Sequence, residues 1–66
     1  MTFGEKLKIA RKKVFLSQEA MAKELSISFT AFNRLENEKA QPNYATQKAF
    51  HEFCLKHEIK FKGEDE

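Results

Sequence analysis

Apolar side chains recur at helical spacing from the start of the chain. The first stretch places Phe3, Leu7, Ala10 and Val14 at intervals of four, three and four residues. Intervals of three and four put side chains on one face of a helix, so this pattern predicts a first helix over about residues 2–13.

Two serines predict the starts of two further short helices. Ser17 and Ser28 each precede an apolar repeat, and serine is a preferred N-cap because its hydroxyl accepts a hydrogen bond from a free backbone N–H. The second helix should therefore follow Ser17 and end at Leu25 or Ser26. The third should follow Ser28 and turn three apolar residues inward: Ala31, Phe32 and Leu35.

A fourth helix is predicted over about residues 43–57, because Pro42 favours a helix that begins immediately after it. Its inward positions are expected to be Ala45, Ala49, Phe50, Phe53 and Cys54. Residues 58–62 then alternate polar and apolar, the period of a strand. This tail has two interpretations, a short C-terminal strand or a segment that folds back on the core. The fold class is all-α, a bundle of four to five helices in residues 1–63, followed by an acidic tail at 64–66.

Composition limits the possible functions. A chain of 66 residues holds one domain with a small core and leaves little room for a catalytic cleft. A single cysteine, Cys54, excludes an intrachain disulfide framework and fits a reducing compartment. No apolar run approaches the roughly 20 residues of a membrane span, and no signal-peptide stretch is present. We therefore expect a cytoplasmic protein without a membrane partner.

Charge is unevenly distributed. The last three residues are acidic, so residues 1–63 contain twelve basic and seven acidic side chains and carry a net charge of +5. Basic side chains are dense near the start, and others lie in the middle of the chain: Lys6, Lys8, Arg11, Lys12, Lys13, Lys23, Arg34 and Lys39. Such a face suits a phosphate backbone. The alternative is a solvated lysine-rich surface without a specific partner.

The sequence contains no convincing catalytic or metal-binding motif. His51, Cys54 and His57 recur every three residues, but they spread over about 120° of helix surface, and zinc usually takes four ligands. Ser17 has no nucleophile elbow and no orienting acid in a recognisable context. We expect no enzyme activity, no metal, no cofactor and no small-molecule substrate.

Residues 16–28 and 33–37, LSQEAMAKELSIS and NRLEN, resemble the Cro/C1-type (XRE) helix-turn-helix family. The segment from Phe3 to Arg11 is similar to the first helix of that family, so the resemblance covers nearly the whole chain. It implies a lambda-repressor-like helical bundle that binds specific sequences in double-stranded DNA. The implied role is a bacterial or phage transcriptional regulator, a repressor or autoregulator, acting as a homodimer on a palindromic operator.

The resemblance also assigns residues. It implies that four side chains of the third helix face base edges: Phe29, Thr30, Asn33 and Arg34. Arginine can hold guanine bidentately, and asparagine can do the same for adenine. Contacts with DNA phosphates are assigned to five positions: Ser17, Gln18, Ser28, Asn37 and Lys39. A structural ion pair is implied between Arg11 and Glu36.

Three positions depart from the family pattern. Glu38, after Asn37, replaces the glycine of the Asn-Gly pair that is common in the family. Ser26 replaces the usual glycine of the turn and should cost about 1 kcal/mol if its backbone is left-handed. Phe29 replaces a polar base reader, and its ring could meet a thymine methyl, the edge of the core or a protein partner. A protein-interaction module that retains the fold is thus the alternative function. We expect the dimer contact from the fourth helix and residues 59–61.

Overall fold

The computed structural model describes residues 1–61, which form four helices joined by short turns. They are α1 (Phe3–Lys13), α2 (Gln18–Glu24), α3 (Phe29–Glu36) and α4 (Tyr44–Lys56). The predicted all-helical bundle is confirmed. Within the described residues no helix has both the length and the apolar character required to cross a membrane.

Each helix begins after a polar residue whose side-chain oxygen accepts a hydrogen bond from a first-turn backbone N–H. The four N-caps are Thr2, Ser17, Ser28 and Asn43. Thr2 also forms a capping box, because the side chain of Glu5 accepts from the Thr2 backbone N–H at 2.9 Å. Local sequence therefore fixes where each helix starts.

All four helices end in the same geometry, with a left-handed residue just beyond the C-cap. These residues have φ between 56° and 61° and none is glycine: Phe15, Ser26, Glu38 and Glu58. The next backbone N–H bonds to the carbonyl five residues earlier, at 2.7 to 3.1 Å. This is the Schellman motif, which usually employs glycine because a Cβ is strained in the left-handed region. The loss of stability expected from left-handed backbone at Ser26 therefore applies at all four turns.

The core is formed by apolar residues from all four helices, and Phe32, Leu7 and Met21 are fully buried at its centre. Ala22 is also buried, on α2. The prediction failed at the start of α4, where Ala45 is exposed and Thr46 is buried. The inward stripe of α4 runs through residues 46, 50, 53 and 54, so its first inward position is one residue later than predicted.

The tail after α4 folds back on the core of its own chain, which confirms the second interpretation of this segment. The alternative of a C-terminal strand is wrong for residues 58–61. Ile59 is buried, and the Phe61 ring lies 6.1 Å from the Phe50 ring. The left-handed turn at Glu58 reverses the chain and makes this packing possible. Lys62, the last residue of the predicted strand, lies outside the described residues.

Gly4 allows α1 to approach the end of α3 closely. A Cβ at this position would lie 2.7 Å from the carbonyl oxygen of Leu35 and 2.8 Å from that of Glu36. Both are backbone atoms, which cannot rotate away as a side chain could. Nearby, the Thr2 hydroxyl donates to Glu38 Oε2 at 2.7 Å. The start of α1 is thus held against the final turn of α3.

We predict that Gly4→Ala lowers the free energy of unfolding by about 1 to 3 kcal/mol, because the added methyl group must push α1 and α3 apart. Urea unfolding followed by circular dichroism measures the change. Lys12→Ala, at an exposed position of α1, is the control and should change stability by less than about 0.5 kcal/mol. Equal effects of the two variants would contradict the proposed close contact.

We predict that Ser26→Gly raises the free energy of unfolding by about 1 kcal/mol, since glycine relieves the left-handed strain. Lys23→Gly, three residues earlier at an exposed position inside α2, should lower it by about 1 kcal/mol. The same urea titration compares both variants. A loss of stability in Ser26→Gly would show that the turn is not strained.

Candidate nucleic-acid interface

A buried carboxylate lies between the first three helices. Glu36, on α3, is 5% exposed, and its Oε2 accepts from Arg11 Nε at 2.8 Å. Arg11 Nη2 also donates to Glu36 Oε1 at 3.2 Å, and Nη1 donates to the Leu16 carbonyl at 3.3 Å. This two-point ion pair links α1 to α3, the arrangement that the family resemblance implied. A buried charge needs such partners, because burying it alone is costly.

The same carboxylate holds the start of α2. Gln18 Nε2 donates to Glu36 Oε1, and Gln18 Oε1 accepts from Asn33 Nδ2 at 3.4 Å. Asn33 Oδ1 in turn accepts from Asn37 Nδ2 at 3.2 Å. We call these five side chains, Arg11, Gln18, Asn33, Glu36 and Asn37, the Glu36 network. It joins α1, α2 and α3, and it reaches from the core to the protein surface.

The outer side of α3 is largely free of the rest of the protein. Thr30 and Arg34 are exposed, Phe29 is 46% exposed, and Asn33 is half-buried beside Gln18. The opposite side of the helix is held by Phe32, which is fully buried. The four side chains that the resemblance assigned to base edges therefore share an accessible face of one firmly packed helix.

Arg34 also contacts the loop that follows its helix. Its Nη2 donates to the backbone carbonyl of Lys39 at 3.0 Å. A guanidinium has five N–H donors, and this bond uses one of them. Arg34 therefore positions the loop that carries Lys39, whose own side chain is exposed.

The expected phosphate contacts lie at three helix ends. The hydroxyls of Ser17 and Ser28 accept from the backbone N–H groups of Ala20 and Ala31, so they serve as N-caps. The Gln18 side chain is engaged within the Glu36 network, which leaves the first-turn backbone N–H groups of α2 as the donors available there.

Asn33 brings two of those helix ends together. Its hydrogen bonds join Gln18 at the start of α2 to Asn37 at the end of α3. The bonds are 3.4 and 3.2 Å long, near the weak end of the range. Asn33 could therefore exchange them for contacts with a base at modest cost.

Lys8, Lys12 and Lys13 are exposed along α1. Lys8 lies between Gly4 and Arg11 at helical spacing, and both of those residues contact α3. Lys8 is therefore on the flank of α1 next to α3, so part of the basic surface borders the face described above. The alternative of a generally solvated surface remains compatible with the exposure of Lys12 and Lys13.

Cys54 is buried in the core rather than placed in a reactive site. Burial raises the pKa of its thiol to about 11, although the positive charge of Lys6 acts in the opposite direction. The thiol is therefore protonated at neutral pH and behaves as a small apolar side chain. Across residues 1–61, no group of three or more His, Cys, Asp or Glu side chains is arranged to hold a metal ion.

Two features of the structure were not predicted from the sequence. The first is the hydrogen bond from Gln18 to Glu36. A glutamine at the start of a helix does not indicate which distant side chain it will contact. The second is a set of strongly exposed apolar side chains: Phe15 at 92%, Tyr44 at 79% and Leu55 at 66%. Their spacing alone does not distinguish exposure from burial.

Comparison with family models, with curated proteins and with solved structures found no match to this chain. The family resemblance therefore rests on the residues quoted from the sequence.

We predict that Arg11→Met lowers the free energy of unfolding by about 3 to 5 kcal/mol, because it leaves the Glu36 carboxylate buried without a counter-charge. The double variant Arg11→Met with Glu36→Leu should recover much of this loss, since no unpaired charge remains. Lys12→Met, at the exposed neighbouring position, is the control, because it replaces a basic residue of α1 with methionine without breaking the ion pair. Urea unfolding of the wild type, the single variants Arg11→Met and Glu36→Leu, and the double variant gives the coupling energy, and additive effects would rule out a significant buried pair.

Proposed function

We propose that this protein binds specific sequences in double-stranded DNA through α2 and α3, as a member of the Cro/C1-type (XRE) helix-turn-helix family. Its proposed role is a bacterial or phage transcriptional regulator, a repressor or autoregulator. The observation that carries the proposal is the asymmetry of α3, whose inner side is fixed by the core and by the bond of Glu36 to Arg11 while its outer side is exposed. A major groove about 12 Å wide admits a helix presented in this way.

Base recognition is assigned to the outer side of α3. Arg34 can donate to guanine O6 and N7 with the donors that its bond to Lys39 leaves over. Asn33 can pair with adenine, and the methyl group or hydroxyl of Thr30 can meet either kind of base edge. Phe29, at the start of the helix, supplies an apolar contact for a thymine methyl.

Phosphate binding is assigned to the flanks of that helix. Lys39 and Asn37 follow α3, while the free backbone N–H groups after Ser17 and Ser28 mark two helix starts. Helix N-termini favour anions because unpaired N–H groups and the helix dipole point toward them. Contacts of this kind orient the protein on the duplex, whereas the base contacts provide specificity.

We further propose that two copies bind a palindromic operator. A domain of this size covers a limited DNA surface, so tight binding needs two half-sites about 34 Å apart. A two-fold symmetric dimer matches such a sequence.

A second candidate function is protein binding through Phe29, which is favoured by the 46% exposure of this apolar side chain at the start of α3. The two functions respond differently to salt. Binding to phosphates releases counterions, so DNA affinity should fall by orders of magnitude between 50 and 200 mM salt. An apolar protein contact should change little over the same range.

The main test is selection of bound sequences from random duplex DNA, followed by titration of the enriched duplex. We predict that Arg34→Ala weakens binding to that duplex by about 1 to 3 kcal/mol and relaxes preference at one base pair. Urea unfolding of the variant separates this effect from any loosening of the loop at Lys39. Failure to enrich any sequence would reject specific DNA binding.

Lys39→Ala provides the matched comparison on the same surface. We predict that it weakens binding to the enriched duplex and to random DNA by similar factors, and that it reduces the slope of log affinity against log salt by about one. Fluorescence anisotropy at several salt concentrations gives both values. A change of base preference in Lys39→Ala would contradict its assignment to phosphate.

A further inference from the structure

One side of α4 carries both a protruding ring and an apolar groove. Tyr44, the first residue of the helix, is 79% exposed. The groove, of about 360 Å³, lies toward the other end of α4, where that helix meets α1 and the tail. Its apolar lining includes Phe3, Phe50, Cys54, Leu55, Ile59 and Phe61.

Ring and groove lie on the same side of the helix. Tyr44, Gln47, His51 and Leu55 follow one another at intervals of three, four and four residues, which is helical spacing. The last three of these residues line the groove. Tyr44 and Leu55 are about 16 Å apart along the helix axis, so the Tyr44 ring lies beyond the end of its own groove.

We propose that α4 pairs antiparallel with α4 of a second copy of this chain, so that the Tyr44 ring of each copy fills the groove of the other. A two-fold axis that crosses α4 near Ala49 brings Tyr44 of one copy beside Cys54 and Leu55 of the other. The same rotation creates the reciprocal contact, as a self-complementary interface requires. This interface belongs to the homodimer proposed above, and it can be measured without DNA.

The polar groups around the groove suit a tyrosine. His51 and Lys60 line it alongside the apolar residues, so the Tyr44 hydroxyl finds polar partners while its ring is buried. Close to the axis, Lys48 would approach its symmetry mate. Its charge is offset by Glu52, whose Oε2 lies 3.5 Å from Lys48 Nζ. The contact therefore combines two buried rings with a centre of low net charge.

Sedimentation equilibrium without DNA tests the proposal. The apparent mass of the unaltered protein should rise from 7.7 kDa toward twice that value as its concentration increases. Tyr44→Ala removes the ring and Leu55→Glu places a charge at the groove. Each should weaken association by about tenfold or more. Phe15→Ala, which removes an exposed ring elsewhere, should have no effect. Circular dichroism checks that each variant keeps its helices.

A mixture of Tyr44→Ala with Leu55→Glu distinguishes this interface from general apolar association. Their mixed dimer restores one intact contact, because the ring of one variant meets the undamaged groove of the other. The mixture should therefore associate more tightly than either variant alone.

No recovery in the mixture would overturn the proposed pairing. A mass of 7.7 kDa at every concentration would also overturn it. That result would include the outcome in which something other than a second copy occupies the groove. Self-association without any enriched DNA sequence would instead reject the proposed function and leave the interface standing.

Discussion

The buried carboxylate of Glu36 is the constraint on which the arrangement of the first three helices depends. It receives the Arg11 guanidinium from α1 and the Gln18 amide from the start of α2, while it belongs to α3 itself. A carboxylate at 5% exposure must receive hydrogen bonds from the protein itself, because water cannot reach it. These donors therefore determine how the three helices meet. The outer side of α3 is presented to solvent because its inner side is fixed in this way.

Local signals in the sequence predicted most of the fold. The N-caps Ser17 and Ser28 and the apolar intervals placed all four helices to within one or two residues, because caps and periodicity act over a single turn. The error at Ala45 and Thr46 arose at the start of α4. The polar residues before the helix do not determine which of its first residues faces the core. The tail was ambiguous because its packing depends on Phe50, which is distant in sequence.

The candidate site was predictable in part. Exposure of Thr30 and Arg34 follows from the apolar stripe on the other side of α3. The family resemblance implied the pairing of Arg11 with Glu36, but the capture of Gln18 by the same carboxylate is a tertiary contact without a local signal. The close approach at Gly4 and the left-handed turns likewise depend on how the chain meets itself. Each of the four left-handed turns costs stability, in a domain whose small size already limits its core.

We propose that the outer side of α3 lies against base edges of the DNA, while the bonds of Glu36 to Arg11 and Gln18 hold the helix from behind. Amide NMR spectra recorded during titration with a duplex enriched from random DNA test it most directly. Binding through α3 should place the largest shifts on residues 28–34, with smaller ones at 17–19 and 37–39. Shifts concentrated on α4, or spread evenly over lysines on all sides of the protein, would contradict it.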